Sequence, residues 1–226
     1  MNILKFSASA TARAALLTAA LLLMPTFQAN ADKYWEQKVS LFDHLPITEN
    51  DIVFLGNSIT DGGNFEELFK REDVKNRGIR SDIIPGVMKR LDQVVKGHPR
   101  KIFLLIGIND VSHGHSVDKL AQRYENLVKE IMRRSPQSKL YLQSIMPIDN
   151  RFGVYRNLRG KEQTVMDFNK RIQAIAEENG LTYIDLWPVL SDKEGRMRSD
   201  FTNDGLHLTG PGYRAWTNAI RHFLDE

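Results

Sequence analysis

Past residue 50 the chain alternates between two hydrophobic periodicities. Short apolar runs, bounded by polar punctuation, occupy 51–55, 74–76, 101–106, 139–145 and 181–186; buried β-strands are expected there. Between them the apolar residues recur at helical spacing. The segment 81–96 carries Ile83, Ile84, Val87, Met88, Leu91, Val94 and Val95. Ser81 is placed there as an N-cap and Pro85 falls in the first turn, where a missing N–H costs little. The segment 116–134 repeats the stripe through Leu120, Tyr124, Leu127, Val128 and Ile131, with Pro136 just beyond its end. A third helix is expected over 162–178, closed by Asn179-Gly180, and a last one over 212–224.

Strand and helix alternating along one chain argue for a parallel sheet covered on both faces. Right-handed crossovers then favour an α/β protein of the doubly wound kind: a three-layer α/β/α sandwich about a five-stranded parallel sheet. In such sheets ligands meet the crevice beyond the carboxyl ends of the strands. The residues that follow each strand are therefore the ones to inspect for chemistry.

Composition changes this picture mainly at the N-terminus. Within residues 1–31 the only charges are Lys5 and Arg13, the run 14–24 is apolar, and Ala29-Asn30-Ala31 has the small-x-small form of a cleavage site. This is the pattern of a secretory signal peptide, with an apolar core too short to span a bilayer comfortably. The expectation is a leader over 1–31, a single domain over 32–226, a periplasmic or secreted destination, and no stable membrane insertion after cleavage. The whole chain has 31 basic and 28 acidic residues. Removing the two basic residues of the leader leaves 29 against 28, so the apparent basicity is no argument for a nucleic-acid partner. There is no cysteine, which rules out disulfides and lipidation at an N-terminal cysteine.

Chemically suggestive residues do follow the strands. The first is followed by Gly56-Asn57-Ser58, the second by Asn76-Arg77-Gly78-Ile79, and the third by Gly107-Ile108-Asn109-Asp110. Before the last helix comes Asn203-Asp204-Gly205-Leu206-His207-Leu208. Ser58 alone could be a turn or capping residue, but beside the other segments it fits acyl transfer. A serine hydroxyl is a weak nucleophile until a base takes its proton, and a neutral histidine can do so near pH 7. His207 is the natural base. Asp204, three residues earlier, is spaced to turn back and hold the other ring nitrogen, while Asp192 and Asp200 are rivals for that part. A tetrahedral oxyanion needs preorganised donors, for which the backbone N–H of Gly78, the side-chain amide of Asn109 and the N–H of Ser58 are candidates.

At these residues the chain resembles the SGNH hydrolases, also called GDSL esterases and lipases: GNSIT, NRGI, GIND and DGLHLTGPGY correspond in order to the family's four blocks. The resemblance spans strand one to the last helix. It implies Ser58 as nucleophile, Gly78 and Asn109 as oxyanion donors, and Asp204 with His207 completing the triad. It also implies a flavodoxin-like sandwich and no metal or other cofactor. Within the family the compact single domain is similar to acetylhydrolases of the platelet-activating-factor type and to esterases that remove O-acetyl groups from carbohydrate, sialic acid included. The substrate so implied is a small-molecule or glycan ester. A lysophospholipase or thioesterase of the same fold is an alternative, as is a carbohydrate-binding module without catalysis. The chain departs from the family at Asn57, where Gly-Asp-Ser has its aspartate.

Further residues near the expected rim are weighed on their chemistry. Asp110 reads as a structural acid that ties its loop to backbone donors. His113-Gly114-His115 has two of the ligands a metal needs and no evident third. The segment 147–161 carries Arg151, Phe152, Tyr155, Arg156 and Arg159. It reads either as a solvated loop or as a substrate wall, in which Arg151, Tyr155 and Arg156, with Arg80 beyond the second strand, would bind the substrate.

Overall fold

The computed structural model describes residues 32–226; the expected leader lies outside the described residues. Helix α1 covers residues 32–43. It is followed by β1 (Ile52–Gly56), α2 (Ser58–Asp61), α3 (Phe65–Phe69) and β2 (Val74–Gly78). Then come α4 (Ile84–Lys89), α5 (Asp92–Val95), β3 (Lys101–Leu105), α6 (Ile108–Ser112), α7 (Val117–Arg134) and β4 (Lys139–Gln143). Two 3₁₀ turns, Asn150–Phe152 and Arg156–Leu158, precede α8 (Glu162–Glu178), β5 (Thr182–Ile184), α9 (Trp187–Leu190), α10 (Gly210–Ile220) and α11 (His222–Asp225). No helix among the described residues is long and apolar enough to cross a membrane.

The five strands form one parallel sheet in the order β2-β1-β3-β4-β5. The chain steps outward from β1 to β2 and then crosses back to β3 on the other side of β1. The crossovers that start on the neighbouring strands β1 and β3 leave in opposite directions, one to β2 and the other to β4, which opens a crevice at the carboxyl ends of these two strands. The strands alternate their side chains between two apolar layers. On one face Phe54, Phe103 and Tyr141 stand in register across three strands, their rings stacked at 4.9 and 4.5 Å. Phe65 of α3 stacks on Phe54 at 4.1 Å, and Trp216 of α10 meets Phe65 edge-on at 5.1 Å. Such pairs add about 0.5–1.5 kcal/mol each beyond the area they bury. On the other face α7 packs against α8 and α4, with Tyr124 edge-on to Phe168. The result is a three-layer α/β/α sandwich.

Two helices match their sequence signals closely. In α7 the Ser116 hydroxyl accepts from Lys119 N–H as an N-cap, and α8 runs over Glu162–Glu178. The segment 81–96 differs. It splits into α4 and α5, and Ser81 is no cap but a left-handed residue at φ 64°. The reason is Asp82. Its buried carboxylate accepts from Ile83 N–H and from Arg90 Nε, so the chain turns there before the helix starts. The last helix also breaks, at Arg221 between α10 and α11.

Candidate active site

Ser58 opens α2 immediately beyond β1. Asn57 caps the helix, its side-chain oxygen accepting from Ile59 N–H at 3.0 Å, and Asn57 is wholly buried. Oxygen acceptance is all this cap requires, so asparagine serves where the family carries aspartate. The cap holds the turn in which the Ser58 hydroxyl faces His207: Ser58 Oγ lies 2.9 Å from His207 Nε2. The other imidazole nitrogen, Nδ1, lies 2.8 Å from Asp204 Oδ2.

The acid is held from several sides. Asp204 Oδ1 accepts the N–H of Leu206 at 2.9 Å and of His207 at 2.8 Å, so the carboxylate closes its own loop before it reaches the ring. Gly205 makes the bend possible. It sits at φ 86°, and a Cβ there would lie 2.1 Å from Asp149 O; its own carbonyl accepts Asp149 N–H at 2.8 Å. Burial raises the Asp204 pKa, but the donors from His207, Leu206 and Tyr155 outweigh it and bring the group down to about 2. The carboxylate is therefore ionised at neutral pH. The rival acids are engaged elsewhere. Asp192 accepts the N–H groups of Glu194 and Arg196, and Asp200 pairs with the Arg198 guanidinium at 2.7 Å.

Of the expected oxyanion donors, two are free to act. Asn109 Nδ2 donates to Asp82 O at 2.8 Å, which orients the amide and leaves its second N–H unused. The N–H of Ser58 has no acceptor among the described residues. Gly78 requires a correction. Its N–H donates to Asn76 Oδ1 at 2.7 Å, an Asx turn, and is not available to a substrate. Gly78 is glycine because a Cβ would come within 2.1 Å of Asp61 N, so its part is to let α2 approach β2 closely. The loop beyond it presents a different donor. Ser81 is exposed, holds a left-handed φ that favours glycine, and its N–H has no acceptor among the described residues. It immediately precedes Asp82, the residue whose carbonyl fixes Asn109. Strained non-glycine backbone of this kind is enriched at functional sites. The sequence signal for the correction was Asn76, two residues before Gly78, the spacing of an Asx turn.

The 147–161 segment is a wall stitched to the site. Asp149, buried, binds the Arg151 guanidinium at 2.6 Å and caps the first 3₁₀ turn. Arg151 also lies 3.6 Å from Asp192, so it is tied to carboxylates of the protein and is not free for substrate, as its expected role requires. Tyr155 differs too: its hydroxyl meets Asp204 Oδ2 at 2.9 Å and His207 Nδ1 at 2.9 Å. Arg156 is exposed with no carboxylate within ion-pairing distance among the described residues. Arg80 stacks on the Tyr34 ring at 5.2 Å and likewise has no carboxylate partner there. Asp110 is buried, accepts Ile84 N–H at 3.0 Å, and is pushed up to about 6 by burial. His113 and His115 lie with ring centres 6.4 Å apart. Among the described residues no group of three or more His, Cys, Asp or Glu side chains is placed to hold a metal ion.

Residues 54–215 match the model of the GDSL-like Lipase/Acylhydrolase family. Platelet-activating factor acetylhydrolase IB subunit alpha1 of Pongo abelii is 25% identical over 181 residues, covering 78% of this chain and 76% of the relative. The alpha2 subunit of Bos taurus is 25% identical over 175 residues, covering 73% and 72%. A solved chain from Streptococcus pneumonia, provisionally named a platelet activating factor, superposes with a TM-score of 0.81 at 27% identity, covering 92% of this chain and 99% of that one. A half-buried serine beyond β1, a histidine 2.9 Å from its hydroxyl and these matches agree: the chain belongs to the GDSL-like lipase/acylhydrolase family and is a hydrolase of carboxylic esters.

Proposed function

We propose that the protein is a serine esterase that removes small acyl groups, acetyl above all, from carbohydrate esters such as O-acetylated sialic acid, through Ser58, His207 and Asp204. The observation that carries this reading is the unbroken chain from Ser58 Oγ through His207 Nε2 and Nδ1 to Asp204 Oδ2, with links of 2.9 and 2.8 Å. Ser58 attacks the ester carbonyl carbon while His207 Nε2 takes its proton. Asp204 stabilises the imidazolium that forms. Asn109 and the N–H of Ser58 are the donors for the oxyanion, with Ser81 replacing Gly78 as the third. Collapse expels the alcohol with the proton from His207, and water then repeats the sequence on the acyl-serine.

The acetyl preference is supported by the acetylhydrolase names of relatives that match most of the chain. The anionic sugar is supported by Arg80 and Arg156, guanidinium groups without a carboxylate partner among the described residues. A periplasmic or secreted location is supported by the charge and apolar pattern of residues 1–31.

The test has two arms. Initial rates on p-nitrophenyl esters of increasing chain length are expected to be highest at acetate, and acetate release is expected from O-acetyl sialic acids within a panel of acetylated sugars. A preference for long chains would point to a lysophospholipase or thioesterase instead, and no turnover of any ester would leave a binding module.

A further inference from the structure

Tyr155 stands 49 residues from Asp204 in the chain, on the wall between the two 3₁₀ turns, yet its hydroxyl contacts both members of the His–Asp pair. The three atoms Tyr155 Oη, Asp204 Oδ2 and His207 Nδ1 form a closed triangle with sides of 2.9, 2.9 and 2.8 Å. Only two protons fit in it. The carboxylate is an acceptor only, so the phenolic proton goes to Asp204 Oδ2. The Nδ1 proton is then shared between Asp204 Oδ2 and the lone pair of Tyr155 Oη. If the phenol donated to Nδ1 instead, the ring proton would sit on Nε2 and the histidine could not accept from Ser58.

We propose that Tyr155 is a positioning residue for ester hydrolysis: its hydroxyl closes a ring with Asp204 and His207 that holds the imidazole as the Nδ1–H tautomer, the form able to take the Ser58 proton. The inference rests on the Ser58–His207–Asp204 reading. The arrangement is built into the fold. Asp149 N–H donates to Gly205 O at 2.8 Å, and Asn150 Nδ2 donates to Leu158 O at 2.9 Å. The first bond fixes the wall to the Asp204 loop and the second closes the wall about Tyr155. The phenol itself does not titrate in any working range, because burial, the hydrogen bond to Asp204 and its charge all raise its pKa. The polar groups in contact with the imidazole come from three places: Ser58 beyond β1, Tyr155 on the wall, and Asp204 on the ring's own loop. Arg80 is close enough for its charge to oppose the rise at Tyr155.

The experiment is Tyr155→Phe, which keeps the ring and removes only the hydroxyl. The melting temperature is read first to establish that the variant folds. With p-nitrophenyl acetate, kcat is expected to fall about 10- to 100-fold with KM within about twofold of wild type, the loss of one hydrogen bond to a charged group. The acid limb of kcat/KM is expected to move to higher pH, because Asp204, relieved of one donor, holds the imidazolium more strongly. An independent arm needs no turnover. In Ser58→Ala protein the deshielded Nδ1 proton is read by NMR, and adding Tyr155→Phe is expected to shift it as the proton ceases to be shared. A change in KM alone would make Tyr155 part of the substrate wall and overturn the inference. So would an acid limb and a proton resonance that both stay where they were. If the wild type turned over no ester, the triad reading would fail, and the resonance alone would decide whether the ring exists.

Discussion

Ser58 Oγ and His207 Nε2 stand 2.9 Å apart although 149 residues separate them in the chain. The distance is set by two turns formed independently, the Asn57 cap after β1 and the Asp204 loop before α10. Ser58→Ala leaves both turns in place, since Asn57 rather than Ser58 provides the cap. The variant is expected to melt like wild type and to lose nearly all esterase activity. An organophosphonate is expected to label Ser58, read by mass spectrometry of the digested protein. Label on another serine would move the nucleophile elsewhere.

Asn109 has one amide hydrogen fixed on Asp82 O and one free. Asn109→Ala is expected to lower kcat by about 10²–10³-fold with little change in KM, as for one oxyanion donor. Steady-state kinetics decide it. An effect confined to KM would place Asn109 in ground-state binding of the substrate.

Much of this arrangement was legible in the sequence, and what was not had a physical reason. The strands and α8 could be read because apolar periodicity reports burial directly, as Phe54, Phe103 and Tyr141 show. Ser58, His207 and Asp204 could be proposed because each follows a strand or a short Asx-rich turn. The contacts missed are those that periodicity does not encode. Asp82 breaks the helix expected over 81–96 by pairing with Arg90 at 2.7 Å inside the protein, a tertiary contact that overrides local propensity. At Gly78 the missing side chain suggests an accessible donor, whereas the same absence serves the close approach of α2. Tyr155 is legible only as a residue of the rim; its contact with Asp204 and His207 gives no local signal, because those partners lie in a loop distant in sequence.

Asp110 carries a stability prediction. It is fully buried, and burial raises it from 3.8 to about 6, against the Ile84 N–H and Arg123, 3.9 Å away, which lower it. A carboxylate raised in the folded state keeps its proton longer than in the unfolded chain. Its contribution is therefore most favourable below the unfolded value and is lost as pH rises from about 4 to 6. That interval corresponds to about 3 kcal/mol. Asp110→Asn keeps an oxygen for Ile84 N–H and does not titrate. The difference in unfolding free energy between variant and wild type, from urea melts at several pH values, is expected to shift in favour of the variant across this window. A difference that stays constant with pH would mean that Asp110 does not titrate between the two values.

Asp204 shifts in the opposite direction, and the sign reverses with it. Burial alone would raise its pKa, yet the imidazole of His207, the N–H groups of His207 and Leu206 and the Tyr155 hydroxyl hold it at about 2. A carboxylate lowered in the folded state stabilises the fold above its unfolded value, and that contribution is lost as pH falls through about 4 to 2. With 21% of the side chain exposed, solvent screening reduces the effect to about 1–2 kcal/mol. Asp204→Asn removes it, so the stability gap between wild type and variant is expected to close as pH drops through that window. The same variant tests the chemistry at neutral pH. Asparagine preserves the shape but can hold the ring in the wrong tautomer, and kcat is expected to fall by up to about 10⁴-fold. Asp192→Asn and Asp200→Asn are expected to stay near wild type in kcat, since the first acid closes a turn through Glu194 and Arg196 and the second pairs with Arg198 on the surface. Circular dichroism on all three variants separates loss of fold from loss of chemistry. A folded, active Asp204→Asn beside an inactive Asp200→Asn would transfer the acid's role to Asp200. Full activity in all three would leave Ser58 and His207 working as a pair, with no carboxylate needed to orient the ring.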